Sequence, residues 1–200
     1  EVLHRHSVRF VERDVVLAEA ARHAAGDDFA ELRNRVPLDH AGFSQRQQIA
    51  AFIARGVARI AAHCGCGKPC VVMTEPRLPD GTPFPTVYYL TCPKAASAIG
   101  TLEANGVMAE MQSRLDADPA LAASYRRAHA SYLADRAALG DVPEIAGISA
   151  GGMPNRVKCL HVLAAHALAA GPGVNPLGDE VLAAIGEWWK PTGCVGETCE

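Results

Sequence analysis

The alternation of apolar and polar positions predicts β-strands only in the middle of the chain. Residues 57–63 alternate weakly, and the apolar run "CVVMTE" follows the turn "CGCGKP", a pattern typical of a β-hairpin. The segment "TVYYLTC" is β-branched and aromatic and lies between prolines, which predicts the strongest strand of the chain. Between the last two strands, "PRLPDGTPFP" contains four prolines, so we expect a rigid loop there.

From residue 93 onward the apolar spacing becomes helical. Prolines at first helical positions and glycines after the last ones mark the helix ends, and Asp118 and Asp179 are the expected N-caps. The predicted helices cover residues 93–105, 107–115, 119–139, 154–170 and 181–189.

The order of these elements predicts the α+β class, with a small antiparallel sheet of about three strands packed against a majority of α-helices. Ser44 is the expected cap of one more helix, which ends at Gly56. We predict a helical N-terminal extension over residues 1–43, the α+β domain over residues 44–190 and a tail over residues 191–200.

Composition and charge exclude some classes of function. The chain has 200 residues, of which 49% are hydrophobic, and a net charge of -3, so it can bury a core but offers no basic surface for nucleic acid. No apolar run is long enough to span a bilayer, so we expect no membrane insertion. Seven cysteines are an odd number in a chain of ordinary length, which favours a reducing compartment over a disulfide framework.

Four cysteines are the predicted ligands of a zinc ion or an iron–sulfur cluster. Cys64 and Cys66 lie in a glycine-rich turn, Cys92 lies between a strand and a helix-starting proline, and Cys159 lies on a later helix. Zinc takes four S or N ligands, and a cluster takes three or four thiolates. A redox dithiol and unligated thiols are the alternatives. Cys70 is expected in a strand core.

Two histidines are candidate catalytic groups, or fourth ligands of the metal. His166 follows Cys159 by seven residues, so both would share one helix face, and His161 would point away from it. Without a metal, Cys159 or Cys92 could act as a nucleophile and His166 as its base. The competing interpretation is an ordinary core histidine. For the tail cysteines Cys194 and Cys199 three interpretations remain: they are metal ligands, they pair with each other, or they lie in a loose tail.

Several polar residues are candidates for binding a small anionic molecule. The stretch "SAGGMPNRVK" places two glycines before a predicted helix start, where free N–H groups attract anions. A flexible loop with a solvated basic helix start is equally compatible. The candidate residues are Arg156, Lys158, Arg77, Asp80, Asn175 and Asp179.

Two long segments, "EPRLPDGTPFPTVYYLTCP" and "GGMPNRVKCLHVLAAHALAAGPGVNPLGDE", resemble the DUF501 family of small actinobacterial proteins. The resemblance covers about residues 45–189 and leaves the N-terminal extension outside. It implies a cytoplasmic bacterial protein whose genes often neighbour those of a septum-formation-initiator protein and an exopolyphosphatase-like protein. It implies no activity. The positions that match the family are Cys64, Cys66, Cys92, Cys159, His161 and His166, whereas Cys70 departs from its pattern.

These observations lead to three hypotheses. The first is a zinc or iron–sulfur protein of the DUF501 type, and the rigid polar loops favour its extension to an enzyme acting on a small anionic substrate by metal-assisted hydrolysis or sulfur chemistry. The second is a non-enzymatic interaction protein of the cell-division or envelope machinery, with a protein partner and an exposed apolar face. The third is a metal-free cysteine/histidine thiol enzyme.

Overall fold

The computed structural model describes residues 56–78, 80–191 and 194. The predicted extension and the helix after Ser44 lie outside these residues. In the described part, three strands precede five α-helices, and a 3-10 helix covers Pro143–Ile145. The strands are β1 (Val57–His63), β2 (Pro69–Thr74) and β3 (Tyr88–Leu90). The helices are α1 (Pro93–Ala104), α2 (Val107–Ala117), α3 (Pro119–Ala137), α4 (Leu160–Ala170) and α5 (Pro176–Ile185).

The sheet is antiparallel, with β2 between β1 and β3. Every residue of β2 is buried, as expected for a central strand, whereas β1 is mostly half-buried and its pairing with β2 is interrupted by register shifts. The predicted hairpin is confirmed. The strand predicted over "TVYYLTC" is shorter than expected, but hydrogen bonds from Thr74 N to Val87 O and from Thr91 N to Cys70 O prolong its contact with β2 at both ends.

Helix α4 forms the centre of the fold. It packs against all three strands and against α1 and α5, and six of its eleven residues are buried. Three of these six are alanines, whose small side chains let neighbouring elements approach closely. The arrangement confirms the predicted α+β class. None of the helices in the described residues combines the length and the apolar character that crossing a membrane requires.

The helix boundaries were predicted with uneven success. Asp118 caps α3 as expected, because its Oδ1 accepts hydrogen bonds from Ala120 N at 2.8 Å and Leu121 N at 3.1 Å. The prediction that α5 begins at Val181 with Asp179 as its cap is wrong. Asn175 caps the helix instead, accepting from Gly178 N at 3.0 Å, and Pro176 takes the first helical position.

The start of α4 also differs from the prediction. The helix begins at Leu160, so Pro154 and the residues after it lie in the preceding loop. Gly151 and Gly152 have φ angles of 73° and 94°, which favour glycine. Their carbonyls accept hydrogen bonds from Lys158 N and Arg156 N, and these bonds hold the loop folded back on itself. Cys159 is therefore the N-cap residue of α4, and it does not share a helix face with His166.

Candidate functional site

The hairpin turn between β1 and β2 carries the first two cysteines. Cys64 N donates to Lys68 O at 2.9 Å, and Gly67 N donates to Cys64 O at 2.9 Å. Gly67 has a φ angle of 77°, a conformation that glycine adopts without a steric cost. This tight turn brings the side chains of Cys64 and Cys66 to the same side. Cys66 N donates to the Cys64 sulfur at 3.3 Å.

The tail residue Cys194 completes a group of three thiols with these two cysteines. The Cys64 and Cys194 sulfurs are 3.4 Å apart, and the three sulfurs all lie within 4.8 Å of one another. Thiolates bound to one tetrahedral zinc ion at about 2.3 Å stand about 3.8 Å apart. The spacing of the group therefore suits one metal ion.

Cys92 is the fourth cysteine at this place. It is fully buried as the N-cap residue of α1, and it contributes to the raised pKa of Cys194. Cys70 is also fully buried, and burial, followed by the charges of nearby cysteines, raises the pKa of its thiol to about 12. Cys70 is thus a neutral residue of the β2 core, as the sequence predicts.

A tryptophan holds the tail over the cysteine turn. A Cβ atom added to Gly65 would lie 2.3 Å from Cε2 of Trp189, so the indole ring contacts the backbone of the turn directly. Trp188 packs against Trp189 edge to face, with ring centroids 4.8 Å apart. These contacts bring the chain to Cys194, which is buried. The interpretation of a loose tail is therefore wrong for Cys194. Cys199 lies outside the described residues.

The electrostatic state of the three thiols follows from their burial and mutual contacts. Burial raises the pKa of Cys64 and of Cys194. Burial acts in the same direction on Cys66, but hydrogen bonds from the Cys64 thiol and from the backbone of Lys68 lower its pKa to about 7. Buried thiolates need a compensating cation, and a bound metal ion supplies that charge.

Cys159 does not join these thiols but lies in a second group, with Glu103 of α1 and His161 of α4. The sulfur, a ring nitrogen and a carboxylate oxygen lie within 4.8 Å of one another, a spacing that would also suit a metal ion. Glu103 Oε1 accepts from Leu160 N at 2.7 Å and lies 3.2 Å from His161 Nδ1. The interaction with Cys159 raises the pKa of His161 to about 9, and Glu103 adds to the effect against the opposing burial.

His166 belongs to neither group. It is fully buried, stacks on Tyr88 and contacts Tyr132 edge to face. Because the Oδ1 atom of Asn175 accepts from Gly178 N, its Nδ2 atom faces His166 Nδ1 at 3.2 Å and donates to it. Nδ1 therefore carries a lone pair and Nε2 carries the proton. Nε2 has no partner among the described residues, and burial lowers the pKa of His166 to about 4.

We expect His166 to make the protein acid-sensitive. Its folded-state pKa of about 4 lies below the ordinary value of 6.5, so its contribution to stability is complete above pH 6.5 and is lost as the pH falls towards 4. The loss amounts to about 3 kcal/mol. Urea unfolding of wild type and His166→Gln at pH 4.5 and 7 measures it, because the stability difference between the two proteins should shrink at the lower pH. An equal difference at both pH values would contradict the prediction. His63→Gln, at the exposed end of β1, is the control.

The residues predicted to bind an anion are dispersed among internal contacts. Arg77 donates to both carboxylate oxygens of Glu144 at 2.7 Å. Asp80 accepts from Thr82 N at 2.9 Å, and Asp179 accepts from Gly173 N at 2.8 Å. The side chain of Asn175 donates to His166 Nδ1 and accepts from Gly178 N. Arg156 and Lys158 are exposed before α4, but the helix N-terminus they were expected to share with an anion is occupied by Glu103.

Two residues of these groups were missed or left open in the sequence analysis. Cys194 is 130 positions from Cys64, and no local spacing connects them. Glu103 has a detectable signal: it is acidic and lies in the last turn of α1, where the helix dipole disfavours negative charge. A carboxylate in this position needs hydrogen-bond donors from elsewhere in the fold. Leu160 N at the start of α4 and the ring of His161 provide them.

The model of the family described as "Protein of unknown function (DUF501)" matches residues 60–183, more than half of the chain. The matched range includes both candidate groups except Cys194. No curated protein and no solved structure matches the chain. Because this match covers nearly all of the hairpin and of the five helices, the chain belongs to the DUF501 family.

Proposed function

We propose that this protein binds one zinc ion through Cys64, Cys66, Cys92 and Cys194. The observation that carries the proposal is the approach of three sulfurs to within 4.8 Å of one another, with Cys92 near enough to contribute to the raised pKa of Cys194. Four sulfur donors from the hairpin turn, the start of α1 and the tail match the tetrahedral preference of zinc.

The spacing of the sulfurs favours a single ion over a [4Fe–4S] cluster. In such a cluster each thiolate binds a different iron, so the sulfurs stand farther apart than those bound to one ion. The short distance of 3.4 Å between Cys64 and Cys194 agrees with a single centre. A set of four thiolates leaves no open position for substrate or water. The proposed zinc is therefore structural, and it ties the C-terminal segment to the sheet.

The interaction-protein hypothesis receives less support. A docking surface for a protein partner is expected to contain a contiguous apolar patch. Among the large hydrophobic side chains of the described residues, Ile148 alone is exposed, at 53%, and a single side chain does not make such a patch.

The test is the metal content of the purified protein. We expect elemental analysis to find about one zinc per chain, and little iron, in protein prepared without added metal or chelator. Cys92→Ser should lose most of this zinc, because three remaining thiolates bind more weakly. Cys159→Ser is the matched control and should keep the zinc, because Cys159 lies in the other group.

Three outcomes would count against the proposal. Iron at about four atoms per chain would indicate a cluster instead. Zinc lost equally in Cys92→Ser and Cys159→Ser would indicate a different ligand set. No metal, together with a bond between Cys64 and Cys194 in the mass of the non-reduced protein, would indicate a redox disulfide.

A further inference from the structure

The group formed by Glu103, Cys159 and His161 has a different chemistry from the zinc site. It joins the last turn of α1 to the first residues of α4. Its side chains are partly open to solvent: His161 is 31% exposed and Glu103 is 23% exposed, and Cys159 is half-buried. A small molecule can therefore reach it.

Both ring nitrogens of His161 face hydrogen-bond acceptors. Nδ1 lies 3.2 Å from Glu103 Oε1, and Nε2 lies 3.1 Å from the carbonyl oxygen of Ala96. A carbonyl oxygen accepts only, so Nε2 carries a proton. The carboxylate next to Nδ1 also favours a proton there. With both nitrogens donating, the ring is an imidazolium and has no lone pair for a metal ion. The raised pKa of about 9 agrees with this state.

The sulfur of Cys159 faces this positive charge from the N-cap position of α4. Its side chain makes no capping hydrogen bond, and its interaction with His161 raises the pKa of that ring. The sulfur lies within 4.8 Å of a ring nitrogen of His161, so a positive charge stands beside it. Tyr89 lies near enough for its own pKa to be raised, through burial first and the charge of Cys159 second.

We propose that Cys159 is a nucleophilic cysteine that undergoes reversible thiol–disulfide exchange with low-molecular-weight disulfides. The Cys159 sulfur attacks one sulfur of the disulfide and a new S–S bond forms. The original S–S bond breaks, and its electron pair leaves on the second sulfur as a thiolate. The product is a mixed disulfide on Cys159, and attack by an external thiol reverses the step. His161 is a positioning residue whose positive charge lies beside the attacking sulfur, and Glu103 and the Ala96 carbonyl fix its ring.

Two observations favour disulfides over carbonyl substrates. The leaving thiolate of a disulfide needs no proton, whereas the amine or alkoxide that leaves in acyl transfer usually does. Both N–H groups of His161 are already directed at Ala96 and Glu103, so the ring has no proton aimed at a leaving group. In addition, the group contains no second cysteine from the part of the chain that the structure describes, so we expect the mixed disulfide to persist until an external thiol arrives.

The test uses the full chain with zinc bound and the aromatic disulfide 5,5′-dithiobis(2-nitrobenzoate) at pH 6. The absorbance of the released thiolate gives the rate, and mass spectrometry of quenched peptides gives the site. We expect Cys159 to react first, about tenfold faster than the same cysteine in guanidinium-unfolded protein. His161→Gln should slow it about tenfold, and Glu103→Gln should slow it several-fold while keeping an acceptor for Leu160 N. Circular dichroism verifies that both variants fold.

His129→Gln is the matched control and should leave the rate unchanged, and Cys159→Ser should abolish the fast phase. Equal rates for Cys159 in the folded and unfolded protein would overturn the proposal, as would a rate unaffected by both His161→Gln and Glu103→Gln. A second zinc ion that protects Cys159 and is lost in Cys159→Ser would also overturn it and assign the group to a metal. None of these outcomes changes the assignment of the four-cysteine site.

Discussion

Cys194→Ser is expected to lower the free energy of unfolding by about 3 to 5 kcal/mol in the presence of zinc. The sulfur of Cys194 lies 3.4 Å from that of Cys64 and within 4.8 Å of that of Cys66, so its loss opens the proposed coordination shell. The C-terminal segment is then no longer tied to the hairpin turn through the metal, and the packing of the Trp189 indole against Gly65 is weakened. Because structural zinc binds the folded chain, its binding free energy is also folding free energy.

The measurement is denaturant unfolding of wild type and Cys194→Ser, each with zinc and with a strong chelator. The chelator should reduce wild type to about the stability of the variant and should leave the variant almost unchanged, because both changes remove the same interaction. Cys159→Ser is the matched control, since it removes a thiol outside the four-cysteine site, and it should respond to the chelator as wild type does. Additive effects of chelator and Cys194→Ser would show that Cys194 stabilises the fold without a metal.

Gly178→Ala is expected to destabilise the protein by about 3 kcal/mol or more. Alanine in a helix is usually more stable than glycine by about 1 kcal/mol, so this prediction reverses the ordinary sign. A Cβ atom on Gly178 would lie 2.2 Å from Leu163 O and 2.8 Å from the Cβ atom of Ala167. Both obstacles belong to α4, one of them to its backbone, so α4 and α5 must separate. Separation would also disturb the bond from Gly178 N to Asn175, which orients the amide towards His166.

Gly100→Ala provides the comparison, since Gly100 also lies within a helix and a Cβ atom there meets nothing within 4 Å. We expect that substitution to be neutral or to stabilise the protein by up to about 1 kcal/mol. Thermal unfolding of both variants distinguishes close packing from helix propensity. The prediction about α4 and α5 is wrong if the two substitutions shift the melting temperature in the same direction.

The fold was predictable wherever a local signal determines a structure. The two β-prone runs around a glycine turn gave the hairpin, and the Asp118-Pro119 pair gave the start of α3. The start of α4 was mispredicted because Pro154 is compatible with a first helical position, while the positive φ angles of Gly151 and Gly152 become evident only from the structure. Because the predicted start of α4 was too early, Cys159 was expected on a face of the helix, whereas it is the N-cap residue.

The candidate sites were predictable only in part, because their members come together through tertiary packing. The turn cysteines Cys64 and Cys66 could be found from their spacing and their glycines. Which distant thiol joins them depends on the path of the C-terminal segment, and that path depends on the contact between Trp189 and Gly65. The pairing of His161 with Cys159 likewise depends on Glu103, which reaches it from α1.

The separation of Cys64 and Cys194 along the chain also bears on the order of events during biosynthesis. The two are 130 positions apart, so at about 5–20 residues per second the ribosome adds Cys194 roughly 7–26 s after Cys64. During that interval the nascent chain presents at most three of the four proposed ligands, and a captured ion would exchange readily with cellular competitors. Tight retention of the metal then begins only once every helix described here has been synthesised, so metal capture would report that this part of the chain is complete.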